Sequence, residues 1–200
     1  VDEDLLLKQI KTFDPMSKNF DFQLKELPTK ISIPVIATSP KVNNKDINNL
    51  GIDKLLGAGF SNFKGSIPNR IHNVNLAQSK FKGVLIPPNE ILSFNDVIGD
   101  ISSYTGYKSA YVIMAGKTVL GDGGGVCQVS TTLFRAVLDA GLPIVERRAH
   151  AYRVSYYEQG FGPGLDATVY SPTTDFKFKN DTNAYLLLQP TIDLENLSLK

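Results

Sequence analysis

Apolar residues recur at the spacing of an amphipathic helix over residues 127–140. One side of the helical projection carries Val129, Leu133, Ala136, Val137 and Ala140. The polar residues Gln128, Arg135 and Asp139 fall on the opposite side, and Cys127 lies on a flank of the apolar stripe. A glycine and a proline soon after the segment are typical of a helix end. The pattern predicts a buried helix that starts at the cysteine.

Weaker patterns of the same kind predict a short helix at 46–56 and a longer one at 69–81. Alternating segments at 110–114 and 117–120 predict a β-hairpin. Further strands are predicted at 83–90, 143–145, 148–154, 167–170, 175–179 and 185–189, with the turn 180–183 joining the last two as a hairpin. The predicted fold class is α+β, in which an antiparallel sheet packs on the central helix.

The first 45 residues differ in composition from the rest of the chain. They are polar and rich in Lys and Asn around one short apolar piece at 31–36. This predicts the last strand of an upstream module and a linker. The predicted domains are therefore 1–45 and 46–200, and 200 residues with 42% hydrophobic content suffice for one domain and an appendage.

Charge and cysteine content narrow the classes of function. A formal net charge of +1 gives no reason to expect a nucleic-acid partner. No apolar run reaches the roughly 18 residues that predict a membrane span. The single cysteine cannot form an internal disulfide, and together with two histidines it cannot make a zinc cluster of the usual spacing. We expect neither a metal nor another cofactor.

The candidate chemistry lies in the segment GDGGGVC, residues 121–127. Consecutive glycines are costly to order, so they indicate unusual backbone conformations or the close approach of another group. The segment lacks the Lys of a phosphate loop and the carboxylates of a calcium loop. A thiol where such a loop enters a helix meets unpaired N–H groups and the positive end of the helix dipole. Cys127 is therefore predicted to be a nucleophile, although a lone cysteine can also be an inert buried residue.

A nucleophilic thiol needs a base, and the chain offers two histidines, His150 and His72. His150 is preferred because the helix–turn–strand connection can return its strand beside the start of the helix. Asp166, after a glycine-rich turn, is the preferred group to orient the imidazole, with capping of that turn as the alternative. Asp175 and Glu146 are weaker candidates.

Two arginines adjoin the histidine. Arg148 has the same strand parity as His150, whereas Arg147 has the opposite parity, so a regular strand would place Arg148 in the site. A guanidinium there could bind a substrate carboxylate through two hydrogen bonds. The alternative is a solvated charge at a sheet edge.

The segment GGGVCQVSTTL, residues 123–133, closely resembles the central motif of VanW-domain proteins, a family named after an accessory protein of vancomycin-resistance clusters. The matching pieces elsewhere are Arg70 with Asn73, PNEILSFN (88–95), Gly106-Tyr107, Glu146-Arg147 with His150, GLDA (164–167), and Asp175 with Asn180. The resemblance covers about residues 60–190. Phe134 replaces a common tyrosine and Ala151 a common serine, and neither change removes a candidate catalytic group.

The resemblance implies an exported protein of Gram-positive bacteria, membrane-anchored outside this chain, whose upstream module is of the peptidoglycan-binding type. Some members act as L,D-transpeptidases. In that reaction Cys127 would attack the third residue of a tetrapeptide stem, D-Ala would leave, and the thioester would pass to an acceptor amine to give a 3-3 cross-link. His150 would be the base and Asp166 the orienting group. The implied substrate-binding residues are Gly124, Gly125, Gln128, Arg148, Arg70, Asn73, Ser93 and Asn95, and the implied partners are peptidoglycan stem peptides.

The same residues are compatible with two other functions. A non-catalytic wall module could bind stem peptides or a glycopeptide antibiotic, and would tolerate replacement of Cys127. A cysteine peptidase would use the same groups but pass the acyl group to water.

Overall fold

The computed structural model describes residues 49–114, 117–158 and 160–200. Three α-helices are present there: α1 at Pro68–Ser79, α2 at Phe94–Ile98 and α3 at Val126–Asp139. The strands, numbered β1 to β10 along the chain, are Ser61–Asn62, Leu85–Ile86, Ile91–Ser93, Ser109–Met114, Lys117–Asp122, Ile144–Glu146, Lys177–Lys179, Leu186–Leu187, Ile192–Asp193 and Ser198–Leu199. The α+β fold class is confirmed.

The strands form four small antiparallel sheets. Their orders are β1-β10-β9, β2-β8, β3-β7-β6 and β4-β5. In the third sheet Leu92 lies opposite Phe178, and both are buried in the core. The sequence predicted one sheet packed on the central helix, whereas the structure has several short sheets around α3.

Helix α3 is the best-buried element of the described chain. Phe134 contacts Phe176 edge to face, with ring centroids 5.7 Å apart. Val129 and Val137 belong to the same core, which fits the predicted apolar stripe. Gln128 and Arg135, predicted on the opposite side, are also buried, because loops cover that side of the helix and supply polar partners.

The predicted helix at 46–56 and the predicted strand at 148–154 are wrong. Asn49 has 3-10 geometry, residues 50–56 are not helical, and residues 46–48 lie outside the described residues. Residues 148–154 form no strand. Their backbone is held instead by side chains and isolated bonds, such as the 3.1 Å bond from His150 N–H to the Asp166 carboxylate.

The hairpin predicted around 180–183 is also wrong. Strand β7 pairs with β3 and β6, whereas β8 pairs with β2. Asn180 explains the separation, since its amide donates to the carbonyls of Ile86, Pro87 and Ala184 at 2.8–3.0 Å and fixes an open turn. Residues 167–170 likewise form no strand, apart from a single bridge between Tyr170 and Thr174.

The predicted domain of residues 1–45 and the hairpin turn at 115–116 lie outside the described residues. The division at residue 45 stays a prediction. No helix in the described part of the chain is long and apolar enough to cross a membrane.

Candidate active site

The glycine run packs tightly at the start of α3. Gly125 is the N-cap residue, with φ of 116°, and a Cβ there would lie 2.9 Å from Val74 Cγ2. A Cβ on Gly124 would lie 2.6 Å from the Tyr111 carbonyl oxygen. The glycines therefore permit both a left-handed backbone and close contact with α1 and β4.

The N-cap residue Gly125 has no side chain that could accept a hydrogen bond from the first turn of α3. The N–H groups of Val126 and Gln128 bond to the carbonyls of Gly123 and Gly125 at 3.0 and 2.9 Å. Within residues 49–114, 117–158 and 160–200, the N–H of Cys127 has no backbone acceptor outside the helix, and it is too near the N-terminus to find one inside. This amide can donate to a bound oxyanion.

Cys127 occupies the second position of α3 and its thiol is partly buried. The Sγ atom lies 3.8 Å from Thr168 Oγ1 and 3.6 Å from the carbonyl oxygen of Val169. The His150 side chain lies near enough to the sulfur to lower the pKa of the thiol, and both side chains line one cavity. The predicted thiol and imidazole therefore adjoin each other.

Asp166 lies on the other side of the imidazole. His150 Nδ1 bonds to Asp166 Oδ2, and the two side chains are 9% and 10% exposed. Arg147 Nη2 lies 3.7 Å from Asp166 Oδ1. Thiol, imidazole and carboxylate thus follow one another, with a guanidinium behind the carboxylate.

Burial alone would raise the pKa of the Cys127 thiol, but the hydrogen bond and charge of His150 bring it below its ordinary value. Burial alone would lower the pKa of His150, but bonds to Asp166 and Cys127 raise it to about 9. Burial likewise opposes ionisation of Asp166, yet the bonds from His150 hold the pKa of this carboxyl below its usual range. Together the shifts favour a thiolate–imidazolium pair.

Cys127 and His150 open into a cavity of about 1050 Å³. Its wall includes four more of the predicted site residues, Gly125, Arg70, Arg148 and Asn95. Arg148 is exposed and pairs with no other described side chain, so it can bind a carboxylate. The volume suits a peptide-sized ligand better than a single ion.

The two arginines diverge, although residues 147–150 are not a strand. Arg147 points away from the cavity, where its guanidinium lies over the Phe134 ring at 4.7 Å and bonds to the Asp166 carbonyl at 2.8 Å. Arg148 lines the cavity. Arg148 therefore faces the cavity and Arg147 does not, as predicted. The prediction assumed a regular strand, which the structure does not contain.

Four predicted substrate-binding residues do not line the cavity. Asn73 and Gln128 are each 0% exposed. Asn73 donates to the Gly124 carbonyl at 3.0 Å, and Gln128 accepts from Arg70 Nη2 at 2.8 Å. Ser93 caps α2 and donates to Asp175 at 2.5 Å. The side chains of Asn73, Gln128 and Ser93 connect the segments that form the site, and the predicted contact of these residues and Gly124 with substrate stays a prediction.

Sequence reasoning missed Tyr157 and Arg135. The Tyr157 ring lies 5.5 Å from the His150 ring and lines the cavity. Arg135 donates to the carbonyls of Phe60, Leu165 and Tyr157, and its guanidinium lies 3.9 Å from the Phe161 ring centroid. An arginine in the middle of a helix predicted to be buried was the one feature that could have indicated the second residue.

The other histidine is remote from the thiol. His72 is exposed on α1, and its Nε2 lies 2.9 Å from the Gly106 carbonyl oxygen. Asp175 and Glu146 lie at the junction of β7 and β6, where Lys177 bonds to Glu146 at 2.8 Å. These alternatives therefore do not contribute to the thiol site. The described residues also contain no group of three His, Cys, Asp or Glu placed to hold a metal ion.

The fold and the site define an α+β domain with a thiol, an imidazole and a carboxylate adjoining one another at a helix N-terminus. The model of the VanW like protein family matches residues 69–200, and the chain belongs to this family. The resemblance found in the motifs is thereby confirmed.

Two curated relatives extend the comparison. The uncharacterized protein YoaR of Bacillus subtilis (strain 168) is 38% identical over 174 residues, which are 87% of this chain and 56% of that protein. The vancomycin B-type resistance protein VanW of Enterococcus faecalis (strain ATCC 700802 / V583) is 32% identical over 131 residues, 64% of this chain and 47% of that protein. The chain spans about half the length of these relatives. No solved structure matches it.

Proposed function

We propose that this domain is a cysteine acyltransferase that acts as a peptidoglycan L,D-transpeptidase. The observation that carries the proposal is the series Cys127, His150, Asp166 at the edge of a cavity. A structural cysteine would not need an imidazole held by a buried carboxylate, and this series is the arrangement that activates thiols in acyl transfer.

The first half-reaction forms a thioester. The Cys127 thiolate attacks the carbonyl carbon of the third stem residue, and the carbonyl electrons move to oxygen. The tetrahedral intermediate collapses, the carbon–nitrogen bond to D-Ala breaks, and the His150 imidazolium gives its proton to the departing amine. The pKa of about 9 keeps His150 protonated for this step near neutral pH.

The second half-reaction transfers the acyl group. A neutral acceptor amine attacks the thioester, His150 takes the proton that the amine loses, and the thiolate leaves. The product is an amide between two stems. Asp166 keeps one nitrogen of His150 occupied, so the other nitrogen faces the sulfur in both halves.

Stem peptides are proposed as substrates because of the cavity and the family. The cavity has room for a peptide, and Arg148 offers a guanidinium for a carboxylate of the stem. The name of the Enterococcus faecalis relative associates that protein with vancomycin resistance, which supports a cell-wall substrate. An extracellular location, with any membrane anchor outside this chain, belongs to the same proposal.

The test is to incubate the protein with a disaccharide-tetrapeptide and to record protein and product masses, with Cys127→Ala in parallel. We expect an adduct that has lost D-Ala, followed by cross-linked dimer, in the unaltered protein alone. Adduct followed only by free tripeptide would indicate a peptidase. A folded protein that binds the stem without forming an adduct would contradict catalysis and support a binding module.

A further inference from the structure

Tyr157 is a buried aromatic residue of the cavity wall that the reaction has so far left without a role. Its ring is 4% exposed and packs against His150 and Tyr156, with ring centroids 5.5 and 4.7 Å away. The Tyr157 carbonyl accepts from Arg135, and its N–H donates to Val154 at 2.9 Å. Backbone and ring are therefore both fixed, which a preorganised donor requires.

Tyr157 and Arg70 both line the cavity that contains Cys127. The Tyr157 phenol carries one hydroxyl hydrogen that can be donated. Among residues 49–114, 117–158 and 160–200 this hydroxyl donates to no acceptor. Arg70 is itself fixed by bonds to Ser66 at 2.7 Å and Gln128 at 2.8 Å. The free hydrogen is thus available to a ligand in the cavity.

The phenol also stays protonated under working conditions. Burial raises the pKa of Tyr157 well above its ordinary value, and the nearby Cys127 sulfur acts in the same direction. A neutral hydroxyl near the thiolate can donate a hydrogen bond without losing its proton. Tyr157, Arg70 and Cys127 line the same cavity, so the phenol, the guanidinium and the thiol border one bound ligand.

Thiol attack creates a negative oxygen on the substrate carbonyl, and such oxyanions are usually held by more than one donor. The N–H of Cys127 supplies one. We propose that the Tyr157 hydroxyl supplies a second, and that it holds the oxyanion while the carbon–sulfur bond forms and again while the carbon–nitrogen bond breaks. Tyr157 keeps its proton throughout, and His150 alone carries the transferred proton. This inference rests on the proposed acyl transfer.

The test separates oxyanion stabilisation from thiol activation by using two reactions of Cys127. Acylation by the disaccharide-tetrapeptide passes through an oxyanion, whereas alkylation by iodoacetamide is a displacement at a saturated carbon and does not. We compare Tyr157→Phe, which retains the ring packing, with Tyr104→Phe, whose ring is 99% exposed. Acylation is followed by quenched intact-protein mass, and circular dichroism checks the fold.

We expect Tyr157→Phe to acylate about 10²–10³-fold more slowly and to be alkylated within about twofold of the unaltered rate, as is typical for loss of one oxyanion donor. Tyr104→Phe should match the unaltered protein in both reactions. Equal losses in both reactions would overturn the inference and assign Tyr157 to positioning His150. An unchanged acylation rate would also overturn it. An unaltered protein that is alkylated but never acylated would instead overturn the proposed function, and this inference with it.

Discussion

Cys127 and His150 form a coupled pair in which each charge stabilises the other. A helix N-terminus favours the thiolate, and the imidazolium next to it does so more strongly because it lies beside the sulfur. Asp166 affects the thiol only through His150, since its carboxylate bonds to the imidazole nitrogen and to the backbone N–H of that residue. The reactivity of the thiol should therefore respond to changes at a residue that does not touch it.

The variant Asp166→Asn tests this coupling. Without the carboxylate, His150 loses its negative partner and its pKa falls, so Cys127 has less imidazolium beside it and its own pKa rises. We expect iodoacetamide alkylation at about pH 6 to slow about tenfold, with a smaller loss at alkaline pH where the thiolate forms anyway. Asp53→Asn, on an exposed residue, is the matched control. Equal rates for both variants at acid pH would contradict the coupling.

His150 should titrate near pH 9 in the folded protein. Below that pH the ring is positively charged and can give a proton to the departing amine; above it the charge and the proton are lost, so acylation should slow. Histidine-ring NMR measures the titration, and His72→Gln assigns the two histidine signals. A midpoint close to the ordinary value of about 6.5 would refute the ion pair.

The sequence predicted the reacting groups better than the residues that support them. Cys127 was indicated by glycines on one side and a helix on the other, both of which are local features. His150 and Asp166 were chosen because few alternatives exist. The burial of Gln128 and Arg135 could not be predicted, because helical periodicity cannot show that loops cover the polar side of a helix. The position of Tyr157 beside His150 could not be predicted, since a contact between these two rings follows from no spacing in the sequence.

At the scale of elements, α3 is held at its first turn by the fit between Gly125 and α1. Gly125→Ala adds a methyl group 2.9 Å from Val74 and 3.1 Å from Arg70 in a backbone with φ of 116°. We expect a loss of about 2–4 kcal/mol in the free energy of unfolding, from strain and overpacking together. Gly83→Ala provides the control, with φ of 83° and nothing within 4 Å of the added carbon, and should lose about 1–2 kcal/mol. Urea unfolding measures both, and equal losses would show that the contact is unimportant.

Arg135 connects α3 to the loops on its polar side. Arg135→Met leaves the part-buried carbonyls of Phe60 and Leu165 and the buried carbonyl of Tyr157 without their donor, and we expect about 2–4 kcal/mol of destabilisation. The matched change Arg153→Met breaks an exposed pair with Glu158 and should have no measurable effect. Thermal and urea unfolding compare the two. An Arg135→Met protein as stable as the unaltered one would refute the anchoring role.

The two long helices were predictable here, whereas the short strands and the short helix α2 were not. Residues 127–140 and 69–81 were predicted within two residues at each end because a 3.6-residue period runs through several turns. Strands of two or three residues are too short for alternation to identify. The partners of β7 and β8 are set by distant contacts, such as those of Asn180 with Ile86 and Pro87, and not by the turn between the two strands.

At the scale of the whole molecule, the cavity is assembled from segments far apart in sequence. Arg70 comes from α1, Asn95 from α2, Cys127 from α3 and Arg148 from the segment after β6. Its wall has cationic groups at Arg70 and Arg148 and carboxylates at Asp96, Asp100 and Asp122. Of the two arginines, Arg70 donates hydrogen bonds to Ser66 and Gln128, whereas Arg148 donates to no described side chain. Recognition of a substrate carboxylate should therefore depend chiefly on Arg148.

Arg148→Gln should raise the KM for the disaccharide-tetrapeptide about tenfold or more, because a charge-assisted hydrogen bond is replaced by a neutral one. The thiol is chemically unaffected, so iodoacetamide alkylation should stay unchanged. Arg153→Gln removes the same charge from a side chain that is 72% exposed and paired with Glu158, and should leave KM as it is. Steady-state kinetics at two salt concentrations measure the effect, which should shrink as salt screens the arginine. If both variants raise KM equally, net charge rather than a carboxylate site attracts the stem; if neither does, the substrate lies elsewhere in the cavity.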